Sequence, residues 1–344
     1  MNFVNFLFVY IIVLIIWTFY KRYFSSSEFQ VKNKHVLITG GSSGLGFSFA
    51  KLCVKNGANV TIVSRSQEKL DVAVKQLRGF STKKDSQKIE SFACDVTCVS
   101  EVEQLFCSLI VPVDIIVLCA GASKPGFFHQ QSPVLFKDQV ELNYLGSVYA
   151  ATYCFQKMLR DGVCGAKFIF ISSACGLLSF PGYSQYAATK FALRGFCDAF
   201  RGELLLFQYT SHIFFASSID SPGFAEEQKL KPELTKKIEG TCVLQTSDQA
   251  AASLWTGISR GHYQITSDFA VELLRISNNS TNPRNNFLLE LLLLPFACIM
   301  QHLSPAQGVA KCERRHKQFT GHMTLYSAKP SSLRLGLVIY STSS

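Results

Sequence analysis

The hydrophobic positions of this chain fall into short apolar runs separated by amphipathic stretches, as strands alternating with helices require. The first run is His35 to Thr39, followed by the glycine-rich Gly40 to Gly46 and by Phe49, Ala50, Leu52, Cys53 and Val54 at helical spacing. This reads as strand, tight turn, helix. A second strand is predicted at Asn59 to Ser64, then a polar helix from about Ser66, a third strand near Ile89 to Cys94 and a fourth from Val113 to Cys119. Helical patterning returns at Pro133 to Arg160. A strand follows at Lys167 to Ser172, a helix at about Gln185 to Gln208 and a strand at Ser211 to Ser217. The alternation predicts an α/β fold: a Rossmann-like, doubly wound parallel sheet flanked by helices and continuing past six strands.

Two further apolar stretches do not fit that rhythm. Phe3 to Tyr20 is an uncharged run of 18 residues closed by Lys21 and Arg22. It reaches bilayer-spanning length, and the charge order places its basic end in the cytoplasm. Residues 1–24 are therefore expected to be a membrane helix and its junction. Residues 286–303 are also apolar but interrupted by Glu290, Pro295 and Gln301, so membrane contact is expected there without insistence on a crossing. Between them, residues 31–285 form the expected catalytic domain, and residues 304–344 a basic tail.

The net charge of +10 changes little, because much of it sits in that tail at Lys311, Arg314, Arg315, Lys317, Lys329 and Arg334. No nucleic-acid-binding module accompanies it, and no nucleic-acid partner is expected. The 12 cysteines include no CxxC pair, which argues against a zinc site or a disulfide-knit scaffold.

The glycine turn supplies the first candidate chemistry. Glycine lets the backbone approach a pyrophosphate, and the following helix start offers free N–H groups and a favourable dipole. Gly40, Gly44 and Gly46 are the key positions, with Ser42, Ser43 and Leu45 between them. An acidic residue at the end of the second strand would bind an NAD ribose, but this chain has Ser64 and Arg65. A cation there suits a 2′-phosphate, so NADPH is the expected cofactor, with Ser42 and Lys69 as helpers and Asp95 as an acceptor from adenine.

The second candidate site lies downstream. Tyr186 and Lys190 are four apart and share a helix face, so the ammonium can act on the phenol. The ordered set of the glycine turn, Asn143, Ser173, Tyr186 with Lys190, and Pro222-Gly223 resembles the short-chain dehydrogenases/reductases. That resemblance implies that Tyr186 protonates a ketone oxygen, Lys190 also binds the ribose, Ser173 orients the carbonyl and Asn143 supports a proton-relay water. Ser172 competes with Ser173 for the serine role. The family often has asparagine after the fourth strand where this chain has Leu118, and the lost amide predicts looser strand-end hydrogen bonding.

Asn143 to Tyr149, Lys190 to Gly195 and Asp220 to Glu227 are similar to family members that reduce a long-chain keto-sphingoid lipid. The implied setting is the endoplasmic reticulum membrane, with the catalytic domain facing the cytoplasm and the membrane as partner. Reduction of a steroid, retinal or fatty ketone, and an inactive NADPH-binding scaffold, stay open as alternatives. Oligomeric state is also open, a homo-oligomer included.

Overall fold

The computed structural model describes Tyr10, Val13 and residues 29–81, 86–240, 244–279 and 282–299. Its central sheet has seven strands: β1 His35–Thr39, β2 Asn59–Ser64, β3 Ile89–Ala93, β4 Ile115–Leu118, β5 Lys167–Ser173, β6 Thr210–Ala216 and a short β9 Gln264–Thr266. Their order is β3-β2-β1-β4-β5-β6-β9, and every neighbouring pair is parallel. Parallel strands need helical crossovers, which cover both faces and explain why all five residues of β1 are buried.

The pleat sends alternate residues to opposite layers. Val36 and Ile38 pack with Phe49 on helix α1 (Gly44–Lys55), Leu70 on α2 (Gln67–Arg78) and Leu254 on α9 (Ser247–Ser259). Leu37 and Ile116 face the other layer, with Val102 on α3 (Val99–Ser108), Cys154 on α5 (Gly146–Arg160) and Leu193 on α6 (Ser184–Leu205). The helical stretch expected at 133–160 is three pieces: α4 (Pro133–Val140), a π-helical turn at Glu141–Leu145, and α5. After β6 the chain leaves the sheet to form a flap. It runs from β7 (Ile219–Asp220) through α7 (Pro222–Leu230) and α8 (Glu233–Glu239) to β8 (Gln245–Thr246), which pairs with β7.

Helix α10 (Phe269–Ser277) follows β9, and residues 287–299 form a last helix, α11. One face of the stretch expected to contact a membrane is docked on the fold, while Phe287, Leu291, Leu292, Phe296 and Ile299 stay exposed. Glu290, the charge that made a bilayer position costly, is 2% exposed and faces Arg275 of α10 at 2.7 Å. It also accepts from Arg284 at 3.1 Å and from the Asn285 backbone N–H at 2.8 Å. Ala297 beside it packs with Leu273 and Ile276, and Leu293 and Leu294 pack against that cluster. The segment is thus docked on the catalytic body by a buried ion pair.

Among the described residues no helix is long and apolar enough to cross a membrane. For the described residues this corrects the expected membrane-spanning helix, and with it the membrane as partner and the endoplasmic reticulum membrane location where these rest on those residues. The expected anchor at residues 1–24 lies outside the described residues except for Tyr10 and Val13, and the tail at 304–344 lies outside them entirely.

Removing one partner of a buried ion pair strands the other charge. Glu290→Ala leaves the fully buried Arg275 with Glu272 alone, and is expected to lower stability by about 3 kcal/mol. Chemical denaturation of the two proteins checks this, with an unchanged midpoint as the contrary result.

Candidate active site

Thr39, the last residue of β1, is buried, and its hydroxyl oxygen accepts from the backbone N–H groups of Cys119 at 3.1 Å and Ala120 at 3.2 Å. The end of β4 is therefore tied to the start of the glycine turn. The strand-end loosening expected from Leu118 does not occur: Leu118 is a core residue, and Thr39 satisfies the N–H groups beyond it.

The turn itself has room for a ligand because it lacks side chains. Gly40 (φ 68°) and Gly44 (φ 55°) hold left-handed backbone that other residues adopt with strain. A Cβ on Gly40 would lie 2.9 Å from the Ala120 nitrogen, and one on Gly46 only 2.3 Å from the Gly40 carbonyl oxygen. Ser43 caps α1 in extended conformation without a side-chain hydrogen bond to it, and no acidic residue sits in the first turn. The helix start thus keeps its free N–H groups for an anion. Ser42 is partly buried and Leu45 is buried.

Beside it, at the end of β2, the buried Ser64 hydroxyl has no hydrogen-bond partner. Arg65 follows and is exposed, as is Lys69 in the first turn of α2. An orphaned hydroxyl and two cations at this strand end fit a phosphorylated ribose. Asp95 is more committed, because one of its oxygens accepts from the Thr97 N–H at 3.0 Å and hydroxyl at 2.8 Å. These residues and the glycine cradle fit a dinucleotide.

The second group converges from three elements. Asn143, in the π-helical turn, is completely buried. Its side-chain oxygen accepts from the Ala122 N–H and its amide donates to the Ala122 carbonyl, both at 2.9 Å, holding the loop after β4. A Cβ on Gly121 would meet the Asn143 side-chain oxygen at 2.8 Å and the Lys190 Nζ at 3.6 Å, so this glycine allows the two side chains to approach. Lys190 is 4% exposed, donates to the Ile171 carbonyl at 3.0 Å and lies 5.6 Å from the centre of the Tyr186 ring. Ser173 ends β5 near Tyr186, and its hydroxyl accepts from the Cys175 backbone N–H at 3.2 Å. Ser172 points the other way, buried against Gly176.

Burial governs the electrostatics. It raises the Tyr186 phenol well above the ordinary tyrosine value, reinforced by Cys175 and Glu227 and opposed by the nearby Ser173 hydroxyl. The expectation that Lys190 would favour tyrosinate is thus outweighed by desolvation, and Tyr186 holds its proton at neutral pH. Burial also lowers the Lys190 ammonium to about 8. A neutral phenol beside a cation near its titration point can give up a proton to an oxygen and be resupplied.

The family model for short chain dehydrogenases matches residues 34–215, which hold both groups. The chain belongs to the short-chain dehydrogenase family. It is 38% identical over 290 residues to a 3-ketodihydrosphingosine reductase of Cryptococcus neoformans, covering 82% of this chain and 86% of that one. To the 3-ketodihydrosphingosine reductase of Dictyostelium discoideum it is 30% identical over 326 residues, covering 91% and 97%. A solved short-chain dehydrogenase from Sphingobium yanoikuyae in complex with NADPH superposes with a TM-score of 0.59 at 20% identity, over 68% of this chain and 87% of that one. One from Burkholderia phymatum in complex with NAD gives 0.62 at 19%, over 74% and 99%. At these identities the structural likeness is one of fold.

Several residues around this family site escaped sequence reasoning. Gln185 is 1% exposed and donates to the Lys124 carbonyl, fixing the chain beside Tyr186. Tyr183 and Lys231 are also buried there; Tyr183, three residues before Tyr186 on the same helix face, was the available signal.

The glycine cradle gives a direct test. Gly46→Ala forces a methyl into the Gly40 carbonyl, and is expected to destabilise the fold by about 1–3 kcal/mol and to abolish dinucleotide binding. Thermal melting and cofactor titration measure the two effects, and wild-type affinity for both NADPH and NADH would contradict the cradle.

Proposed function

We propose that this chain reduces 3-ketodihydrosphingosine to dihydrosphingosine with NADPH, using residues 31–285 as its catalytic domain. The observation that carries the reading is the convergence of Ser173, Tyr186, Lys190 and Asn143 beside the glycine turn, in a chain whose relatives named for this reaction match most of its length. Bound NADPH supplies a hydride to the ketone carbon. Tyr186 donates its phenolic proton to the ketone oxygen, so carbon and oxygen each gain one hydrogen. Ser173 orients that oxygen by a hydrogen bond. Lys190 holds the ribose, and its charge stabilises the phenolate left on Tyr186. Asn143 holds the loop after β4 and supports the water that returns a proton through Lys190. Arg65, with Ser42 and Lys69, favours NADPH by pairing with the 2′-phosphate, while the Gly40 to Gly46 turn carries the pyrophosphate and Asp95 lies on the adenine side.

Incubation of the purified chain with 3-ketodihydrosphingosine and NADPH, followed by mass spectrometry, is expected to yield dihydrosphingosine, with slower turnover on NADH. Turnover of a steroid, retinal or simple fatty ketone in its place would overturn the substrate assignment. Tyr186→Phe removes one hydroxyl while keeping the aromatic volume. It is expected to bind NADPH normally and lose about 10²–10⁴-fold in turnover. A folded variant reducing the ketone at the wild-type rate would remove Tyr186 from the proton-donor role.

The pH dependence follows from Lys190. With its ammonium lowered to about 8, it is charged below that pH and neutral above it. Tyr186 stays protonated through the same range, because its phenol is raised. The kcat/KM for reduction is therefore expected to hold below about pH 8 and fall as pH rises through it. Lys190→Arg keeps a permanent charge, so the activity it retains should lack that descending limb. A profile that is flat to pH 10 in the wild type would show that the Lys190 charge is not used.

A further inference from the structure

The flap carries a side-chain cluster that the reaction as derived leaves unused. Lys231, between α7 and α8, has a completely buried side chain. Its ammonium meets Glu239 at 2.5 Å and Glu227 at 3.1 Å. The aromatic rings of Phe224 and Tyr183 flank it at 5.2 and 5.6 Å. The Tyr183 hydroxyl donates to Glu227 and lies 3.4 Å from Glu239. Two carboxylates from the flap are therefore gathered on one buried ammonium and sealed by the phenol that begins α6.

A second contact couples the same elements. Thr235 of α8 is completely buried and donates to the Pro181 carbonyl at 3.0 Å. Gly182 (φ 97°) lets it approach, since a Cβ there would meet the Thr235 hydroxyl. Residues 181–183 thus carry the flap on one side. On the other they lead into Tyr186, whose ring centre is 6.0 Å from that of Tyr183.

A lone buried ammonium is costly, and so are two neighbouring, partly buried carboxylates; each tolerates its place because the other is present. The cluster therefore has one assembled state, in which α7, α8 and the start of α6 are fixed together. We infer that Lys231 is a positioning residue for Tyr186, clasping the flap to Tyr183 and so setting the distance between the substrate's cover and the phenol. Lys231 acts through Glu227, Glu239 and Tyr183 and does not itself touch the reacting atoms.

The inference rests on the proposed reductase reading only for its turnover readout, so two measurements are paired. Lys231→Met keeps length but removes the charge. Hydrogen exchange over residues 222–239 is expected to accelerate by about tenfold or more, with exchange in β1 and α1 unchanged. In the NADPH-coupled assay, KM for 3-ketodihydrosphingosine is expected to rise and kcat to fall by about tenfold or more each, because small misplacement near the proton donor is costly. The affinity for NADPH stays as in the wild type. Lys231→Arg, which keeps the charge, should recover much of both losses. A folded Lys231→Met protein with wild-type flap exchange, or with wild-type kcat and KM, overturns the clasp. So does a loss of NADPH affinity equal to the loss in turnover, which would mark general damage. If the methionine variant does not fold, Glu239→Gln leaves Lys231 its bridge to Glu227, and the same exchange and kinetic changes, smaller in size, are expected; their absence is decisive against the proposal. Wild-type protein that fails to reduce 3-ketodihydrosphingosine sinks the reductase reading alone, and the exchange comparison then decides the clasp.

Discussion

The crevice depends on one hydroxyl at the end of the first strand. Thr39 accepts from the N–H groups of both Cys119 and Ala120, joining the carboxyl ends of β1 and β4 where the sheet order turns outward in both directions. That tie decides where the chain after β4 goes, and so where Gly121 lies relative to Asn143 and Lys190. It also places the Ala120 backbone against Gly40, which is why the glycine turn tolerates no side chain there. The two halves of the site, the glycine turn and the group around Tyr186 and Lys190, are thereby held in a single parallel register rather than by loops of their own.

Within that frame the chemistry is set by burial. Lys190 is almost wholly removed from water and donates to the carbonyl of Ile171. Desolvation brings its ammonium near neutrality and pushes the Tyr186 phenol toward holding its proton. These shifts leave Tyr186 protonated, the form from which a proton can be given, while a higher pKa by itself makes the phenol a weaker acid. Tyrosinate next to a fully charged lysine would suit the reverse direction better, since it must accept one. A spacing of four along a helix establishes that the two groups are neighbours, but the balance between charge attraction and desolvation belongs to the packed site.

What was legible in the sequence follows the same division between local pattern and tertiary contact. β2 is found at Asn59–Ser64, as the apolar run and its polar ends require, and β5, β6 and α6 lie within a few residues of their expected bounds. Glycines at 40, 44 and 46 could be read because their function is local. The choice between Ser172 and Ser173 could not be closed by spacing. The alternation of β5 buries Ser172 behind Gly176 and leaves Ser173 on the Tyr186 side of the strand. The π-helical turn at Asn143 was illegible, since periodicity at 133–160 reads as one continuous helix and the extra residue shows only in the hydrogen bonding. The continuation past six strands is β9, which could not be placed because three residues that pair with β6 leave little pattern.

The docking of residues 287–299 on α10 escaped the sequence for a more general reason. Hydropathy measures how much a segment avoids water and is blind to what replaces it, so a helix bound for a protein surface and one bound for lipid can score alike. The discriminating residue was the charge. In hydrocarbon a carboxylate such as Glu290 needs a partner that the same helix must bring with it, whereas against a folded body the partner can be supplied from elsewhere. Arg275 supplies it, from a helix that ends ten residues before α11 begins, and is itself paired to Glu272 on its own helix. Arg275 and Glu290 are both buried, so neither charge has a reason to be there without the other. A buried arginine within an amphipathic helix and an acid within a nearby apolar run therefore constitute a pair that sequence alone can propose. When both are present, docking on protein should be weighed ahead of insertion in lipid.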